Sequence, residues 1–414
     1  MLSRLYLFLM ASTAFLELLL PVYGICVLAF LQLIPFAQTY YFPKFEPYHF
    51  NLVLSIILVF GPLVKGWDLR HIKYIFYVFL FVVVIAISAV FSGIYYPSTY
   101  YEYSKRILFS VVLVCFIRDY KSVALLLKSC VLGCICNAAF AIYEQFHHLP
   151  GREPEGWVVG YIYRSSGFQD DANYLAMVLV AATPLAYYFY VHSKNKFSRL
   201  YYILCLPLFA GGIFSSVSRG GLLGFVLVLG CLFLKNIKKF SMFVVVGIIA
   251  VGFIYVAKNM FLHRETIKSS LSGRASLDSS AGLRLKYYVQ ALELWKYHPV
   301  FGVGLNNFNK ACKLDLGITK AGKQVHNLFL TYLCELGIVG FLLYMKILLI
   351  NFNVLKKIRR QDSVYGELAW CLQISIVGFL ICSLFSSSGG LTMVWILLSV
   401  PLCLENTVFK EHGL

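Results

Sequence analysis

Apolar runs recur along almost the whole chain and are separated by short charged stretches or by Pro/Gly turns. Runs of about 16 to 25 apolar residues predict transmembrane helices, because about 20 residues of helix cross the hydrocarbon core of a bilayer. From residue 49 onward the predicted spans are 49–64, 72–93, 104–117, 121–145, 173–192, 200–217, 219–235, 239–257, 326–353, 366–386 and 391–407. Before them, Pro21 and Pro35 interrupt a stretch that holds either one long span or two short ones.

The charges of the short loops predict the orientation of these spans. Lys and Arg are concentrated in alternate loops, among them 65–73, 194–199 and 356–360. The positive-inside rule places those loops in the cytoplasm, and Arg4 favours a single crossing by residues 1–39. We therefore predict an all-α integral membrane protein, a single polytopic domain over residues 1–414 with about 12 transmembrane helices.

The one long hydrophilic segment, residues 258–325, falls on the outer face and is inserted between two spans. It contains eleven Lys and Arg residues against four Asp and Glu residues. The positive-inside rule does not govern loops of this length, so the excess charge needs another explanation. An anionic substrate or lipid headgroup is one explanation, and a merely solvated basic loop is the alternative.

The composition supports the membrane assignment and narrows the chemistry. Hydrophobic residues make up 60% of the chain and charged residues 13%, too few charges to cover the surface of a soluble protein of 414 residues. The net charge of +17 follows largely from loop orientation, so nucleic acid is not an expected partner. Eleven of the twelve cysteines lie in apolar runs, and Cys312 stands alone in the outer loop. Neither a metal-binding motif nor a nucleotide loop is evident, and we expect no metal and no cofactor.

Three arginines near the outer boundary are candidate anion ligands. Arg219 follows Ser218 in a tight hairpin and starts a helix, where a guanidinium and free backbone N–H groups together favour phosphate. Arg284 lies near the start of an amphipathic helix in the outer loop, and Arg164 precedes another span. The alternatives are an interfacial Arg219 that snorkels to headgroups, a solvated face for Arg284, and simple N-capping by Asp170 or Asp171 in the Arg164 loop.

The outer loop re-enters the membrane at His326-Asn327. A neutral histidine there can accept a proton near pH 7, although an isolated interfacial histidine is often structural. Glu335 follows after nine residues, about 13 Å by helical rise, which excludes a direct dyad with His326. We expect it to orient a polar network or to pair with an arginine. Gly337 and Gly340 come next, and small residues permit close helix packing.

His326-Asn327, nine further residues and Gly337-Ile338-Val339-Gly340 resemble the H-[NSQ]-x9-G-x-x-G signature of the bacterial O-antigen ligase and polymerase superfamily. The order of the Ser218-Arg219 hairpin, the loop with Arg284 and the His-Asn re-entry also agrees. The resemblance is best over residues 160–345.

The resemblance implies a glycosyltransferase of the bacterial inner membrane that acts at the periplasmic face. Its donor would be a glycan on undecaprenyl pyrophosphate, and its acceptor lipid A–core or another glycan. By position, it places Arg219 and Arg284 at the pyrophosphate and His326 at the acceptor hydroxyl. We add Arg164 to the pyrophosphate ligands, and we expect Ser218, Asn327, Glu335, Gly337 and Gly340 to support the site.

Within the superfamily, one large outer loop favours an O-antigen ligase over a polymerase, which typically has two sizeable arginine-rich loops. We expect a metal-independent, inverting reaction, because a single displacement is simplest and no nucleophilic carboxylate is evident. A polymerase that extends lipid-linked repeats is the main alternative, and a protein O-oligosaccharyltransferase is a weaker one. A lipid or polysaccharide transporter is the alternative from a different class, but it would need polar residues deep within many spans.

Overall fold

The structure, a computed structural model, describes residues 21–34, 70–93, 97–147, 164–235, 280–318, 322, 324–361 and 364–412. Within these ranges it is entirely helical, which confirms the predicted α class. The twelve described helices are α1 (Pro21–Gln32), α2 (Ile72–Ser92), α3 (Pro97–Phe116), α4 (Tyr120–His147), α5 (Ala172–His192), α6 (Lys196–Ser215), α7 (Arg219–Lys235), α8 (Ser280–Tyr297), α9 (Phe308–Asp315), α10 (Leu328–Arg359), α11 (Val364–Ser383) and α12 (Thr392–His412).

Six of the described helices are long and apolar enough to cross a membrane: α2, α4, α5, α6, α10 and α11. Shorter apolar helices lie within α1 and α12. Nine predicted spans each correspond to one helix. The predicted spans 49–64 and 239–257 lie outside the described residues, as do residues 1–20 and 258–279. The expected number of about twelve transmembrane helices therefore stays a prediction.

Helix α5 lies at the centre of the described bundle, and 89% of its apolar window is buried. It packs against α4, α6, α7 and α11, while α10 packs against α2, α11 and α12. Small residues allow the closest approaches: a side chain at Gly221 of α7 would overlap Ala176 of α5. This packing brings the ends of α5, α7 and α10 that carry the candidate residues to one end of the bundle.

The described part of the hydrophilic segment 258–325 contains two helices, and helices were expected there. Helix α8 packs along α10, and its Ala291 and Leu294 form a small apolar core with Phe308 and Cys312 of α9. The buried residues of α8 therefore pack against other parts of the protein.

All twelve cysteines are free thiols, which agrees with a role in packing rather than in a disulfide framework.

Candidate active site

The hairpin between α6 and α7 presents Arg219 as the first residue of α7. The preceding Val217 has a φ of 49°, a conformation that a β-branched residue rarely adopts. The Ser218 hydroxyl accepts the backbone N–H of Gly221 at 3.2 Å, which satisfies one free donor of the first turn. Ser218 therefore shapes the helix start from which the Arg219 side chain extends.

Arg164 is held against the same hairpin. Its Nε donates to the Ser216 carbonyl at 3.1 Å, and its Nη2 donates to Asn173 Oδ1 at 3.2 Å. The same Asn173 oxygen accepts the Ser218 hydroxyl at 2.8 Å, so one amide joins the Arg164 loop to the Arg219 hairpin. Asp171 caps α5 by accepting the Asn173 N–H at 2.6 Å. This agrees with the expectation that Asp170 or Asp171 is an N-cap.

Arg284 lies in the second turn of α8, near residues 324–327, which directly precede α10. One turn further along, the Tyr288 hydroxyl donates to the Leu384 carbonyl at 3.0 Å and to the His326 carbonyl at 3.3 Å. This hydroxyl ties α8 both to His326 and to the connector between α11 and α12, residues 384–391. Burial raises the Tyr288 pKa while Arg284 opposes the rise. The side chain therefore stays a neutral donor.

His326 is held in a left-handed conformation with a φ of 60°. Its backbone N–H donates to the Ser387 hydroxyl at 2.9 Å, and that oxygen lies 2.8 Å from Thr331 Oγ1. A non-glycine residue in this conformation costs about 1–3 kcal/mol and persists only where its surroundings fix it. The bonds to Ser387 and Tyr288 fix it through the backbone N–H and carbonyl of His326, so the imidazole takes no part in them.

Asn327 has a structural part in this arrangement. It is the N-cap of α10, and its Oδ1 accepts the N–H groups of Phe329 and Leu330 at 3.0 and 3.1 Å. Its carbonyl accepts the Thr331 hydroxyl at 2.7 Å. The polar residue after His326 thus starts the helix and fixes the direction in which the chain leaves His326.

The charged groups converge around His326. Burial lowers the His326 pKa below its usual value, Arg284 and Arg164 lower it further, and Asp171 opposes them. Burial likewise lowers the Arg164 pKa, Asp171 opposes that shift, and Arg284 and Arg219 act in the same direction as burial. Arg164 and His326 thus each lie within electrostatic range of Arg284 and Asp171, and Arg164 also of Arg219. The imidazole is therefore neutral at neutral pH and able to accept a proton.

Glu335 and Gly337 mark a break in α10 that the sequence interpretation did not foresee. Gly337 has φ 67° and ψ −171°, and the segment 299–308, here called the strap, fits against the break. Across it, Ile338 N–H donates to the Pro299 carbonyl at 2.9 Å and Gly304 N–H to the Glu335 carbonyl at 2.8 Å. The expected helix packing at Gly337 is therefore wrong: its close contact is the Val300 backbone of the strap.

The Glu335 carboxylate fixes the strap as well. Its two oxygens accept the N–H groups of Asn306 at 2.9 Å and Phe308 at 3.4 Å. Of the two expectations for Glu335, these bonds agree with a polar network, and within the described residues no ion pair with an arginine is found. Gly340 is buried in α10, and a side chain there would meet Leu336 of the same helix.

Ser387 is a site residue that the sequence interpretation missed. It lies in the connector 384–391, and the Tyr174 hydroxyl donates to its carbonyl at 3.1 Å. The run Ser386-Ser387-Ser388-Gly389-Gly390 between two apolar helices is the signal that was available, since small polar residues rarely interrupt spans without a structural purpose.

Residues 203–345 match the family model described as O-antigen ligase. The match covers about a third of the chain, supports the superfamily that the His-Asn motif indicated, and contains Arg219, Arg284 and His326. Arg164 and Ser387 lie outside the matched range. A comparison with curated proteins gives no match. The family indicates an O-antigen ligase-type or polymerase-type function, hence a glycosyltransferase-like enzyme with several membrane-crossing helices.

Proposed function

We propose that the protein is an O-antigen ligase that transfers a glycan from undecaprenyl pyrophosphate to a hydroxyl group of lipid A–core. The observation that carries the proposal is a cluster in which Arg164 is hydrogen-bonded to the Arg219 hairpin and to its partner Asn173, while Arg164 and Arg284 both act on His326. A cationic cluster suits a pyrophosphate leaving group, and a neutral imidazole suits deprotonation of the attacking hydroxyl.

In the proposed reaction, the acceptor oxygen attacks the anomeric carbon while the bond from that carbon to the pyrophosphate oxygen breaks. The hydroxyl proton passes to His326, and the electron pair of the broken bond leaves with the pyrophosphate. Fixed guanidinium groups stabilise the negative charge that develops on the leaving group. This single displacement inverts the anomeric centre and requires no metal. A product that retains the anomeric configuration of the donor would contradict it.

We place this chemistry at the periplasmic face of the inner membrane. Helix α10 supports the placement, because His326 precedes its start and Lys356, Lys357 and Arg359 occupy its last turn. The part of α10 after the break at Gly337, residues 338–359, extends about 33 Å by helical rise, enough to cross the hydrocarbon core of a bilayer. A cytoplasmic basic end then leaves His326 outside, next to membrane lipids and the lipid-linked donor.

The decisive experiment measures glycan transfer in membranes by variants that still insert. We expect His326→Ala to abolish transfer, whereas His147→Ala, a change at an exposed histidine at the end of α4, should retain it. Arg219→Lys and Arg284→Lys should each reduce transfer sharply, because lysine lacks the bidentate fork.

Arg360→Lys, at the opposite end of α10, is the matched control for the arginine variants. Full transfer by His326→Ala would remove His326 as the base, and full transfer by both lysine variants would contradict the pyrophosphate clamp. To separate ligase from polymerase, the chain is expressed in a strain that lacks its own O-antigen ligase and in one that lacks its polymerase. Long glycan on lipid A–core only in the first strain supports the ligase.

A further inference from the structure

A polar cavity of about 400 Å³ lies among α3, the connector 384–391 and residues 324–325, which directly precede His326. Its charged lining consists of Glu102, Arg106, Asp170 and Glu335. Its uncharged polar lining includes Thr99, Asn306, Gln324, Thr331, Ser387 and Thr392. The volume falls in the range of small-molecule sites, roughly 300–1,000 Å³. None of the three arginines of the proposed pyrophosphate site lines this cavity.

The charge of the cavity differs from that of the arginine cluster. Arg106 Nη2 lies 3.0 Å from one Glu102 oxygen, and Lys105 Nζ lies 2.6 Å from the other. Glu102 offsets the charge of Arg106, Asp170 adds a negative charge to the lining, and Lys105 does not line the cavity. In the arginine cluster, by contrast, Arg164, Arg219 and Arg284 outnumber the single nearby carboxylate, Asp171. A pyrophosphate therefore favours the arginine side, and the cavity favours a ligand without negative charge.

The cavity is joined to His326 through shared residues. Gln324 and Val325, which line it, directly precede His326 in the chain. Ser387 also lines it and accepts the His326 N–H, while Thr331 contacts the same hydroxyl. A molecule in the cavity therefore lies next to the segment that carries His326.

We propose that this cavity binds an uncharged, hydroxyl-rich sugar residue of the acceptor and directs its reacting hydroxyl to His326. The proposal rests on the proposed transferase function. Hydroxyl, amide and carboxylate side chains in one cavity supply the mixed donors and acceptors that sugar hydroxyls pair with. The Arg106 guanidinium is fixed by Glu102 and by the Gly390 carbonyl, so it is presented in one orientation. A uronic acid is disfavoured by the surrounding carboxylates.

The first test fills the cavity from two different walls. Thr99→Trp on α3 and Thr392→Trp at the start of α12 each place an indole in the cavity. Leu108→Trp, on the exposed side of α3, is the matched control. With purified full-length protein in nanodiscs, we expect each cavity variant to raise the KM for lipid A–core at least tenfold and to change the KM for the lipid-linked donor less than twofold. An unchanged acceptor KM in both variants would overturn the proposal, as would an equal rise in both constants.

The second test measures binding without turnover, so that it does not depend on the transferase function. Saturation-transfer NMR with the wild-type protein uses maltotriose and chitotriose as neutral probes and tri-galacturonate as the acidic probe, all at millimolar concentration. We expect saturation of a neutral trisaccharide, weaker saturation of tri-galacturonate, and loss of the neutral signal in both tryptophan variants but not in Leu108→Trp. Absence of any neutral signal, or its survival in the variants, would refute the cavity. Specific binding without transfer would instead leave the cavity intact and refute the proposed function.

Discussion

Replacing Gly337 by alanine tests whether the break in α10 depends on the absence of a side chain. The combination of φ 67° and ψ −171° belongs to a region that only glycine occupies readily. An alanine Cβ would also overlap the Val300 carbonyl of the strap. Both effects act on the same short segment, so the substitution should displace the strap from α10.

The magnitude follows from these two contributions. Forcing alanine into this backbone region costs about 1–3 kcal/mol. Displacing the strap breaks the bonds from Ile338 N–H to the Pro299 carbonyl and from Val339 N–H to the Val300 carbonyl, at 2.9 and 3.3 Å. Each is worth about 0.5–1.5 kcal/mol net. We therefore expect Gly337→Ala to lower the free energy of unfolding by about 2–6 kcal/mol.

Gly93→Ala is the matched control, because Gly93 also has a positive φ, 62°, and a side chain there would meet nothing within 4 Å. A left-handed alanine alone costs about 1–2 kcal/mol. Unfolding in a denaturing detergent, followed by circular dichroism, compares the two variants, and the transfer assay is run on both. Because the strap joins α8 to α9, Gly337→Ala should also reduce transfer more than Gly93→Ala. Equal losses of stability in the two variants would refute the role assigned to the Val300 contact.

Three further predictions concern the surroundings of His326. Asp171→Asn keeps an N-cap for α5 but removes the charge that raises the His326 pKa, so the acidic limb of the transfer–pH profile should move to lower pH. A limb that does not move would argue against His326 as the titrating base. Glu335→Gln leaves one strap N–H without its acceptor, and unfolding measurements should show a loss of about 1–3 kcal/mol, whereas the exposed Glu293→Gln should show none. Ser387→Ala removes the acceptor of the His326 N–H and should lower kcat about tenfold, or about 1.4 kcal/mol, while an unchanged kcat would show that this bond does not position the base.

The helical elements were largely predictable from the sequence because membrane spans consist of long apolar runs. The span predicted at 219–235 coincides with α7. Asn327 is the N-cap of α10, directly after the hydrophilic segment 258–325. Length and apolar composition suffice for such predictions, since a helix satisfies its own backbone groups. The first turns of α3 were missed because Tyr101, Glu102 and Lys105 are polar or interfacial residues that a hydropathy pattern does not count.

The candidate residues could be chosen from the sequence one by one, but the contacts that hold them could not be predicted. Arg219 and Arg284 stood out because charges at a membrane boundary are costly without a purpose. The strap and Ser387 were not foreseen, because they depend on backbone contacts between segments far apart in the chain, such as Val303 N–H to the Cys334 carbonyl. Such contacts leave no periodic pattern in a single sequence. Gly337 was noticed, but its spacing alone does not distinguish a helix contact from a broken helix.

The site depends on the whole bundle because its residues come from four separate segments and two of them adopt unfavourable backbone conformations. Val217 precedes the Arg219 helix at φ 49°, and His326 is held at φ 60°. Neither conformation is stable locally, so each must be fixed by its surroundings. For His326 these are the Tyr288 hydroxyl from α8 and the Ser387 hydroxyl from the connector 384–391. Because the strap and Glu335 join α8 to α10, a substitution in the strap that never touches substrate should still move Arg284 relative to His326 and so reduce transfer.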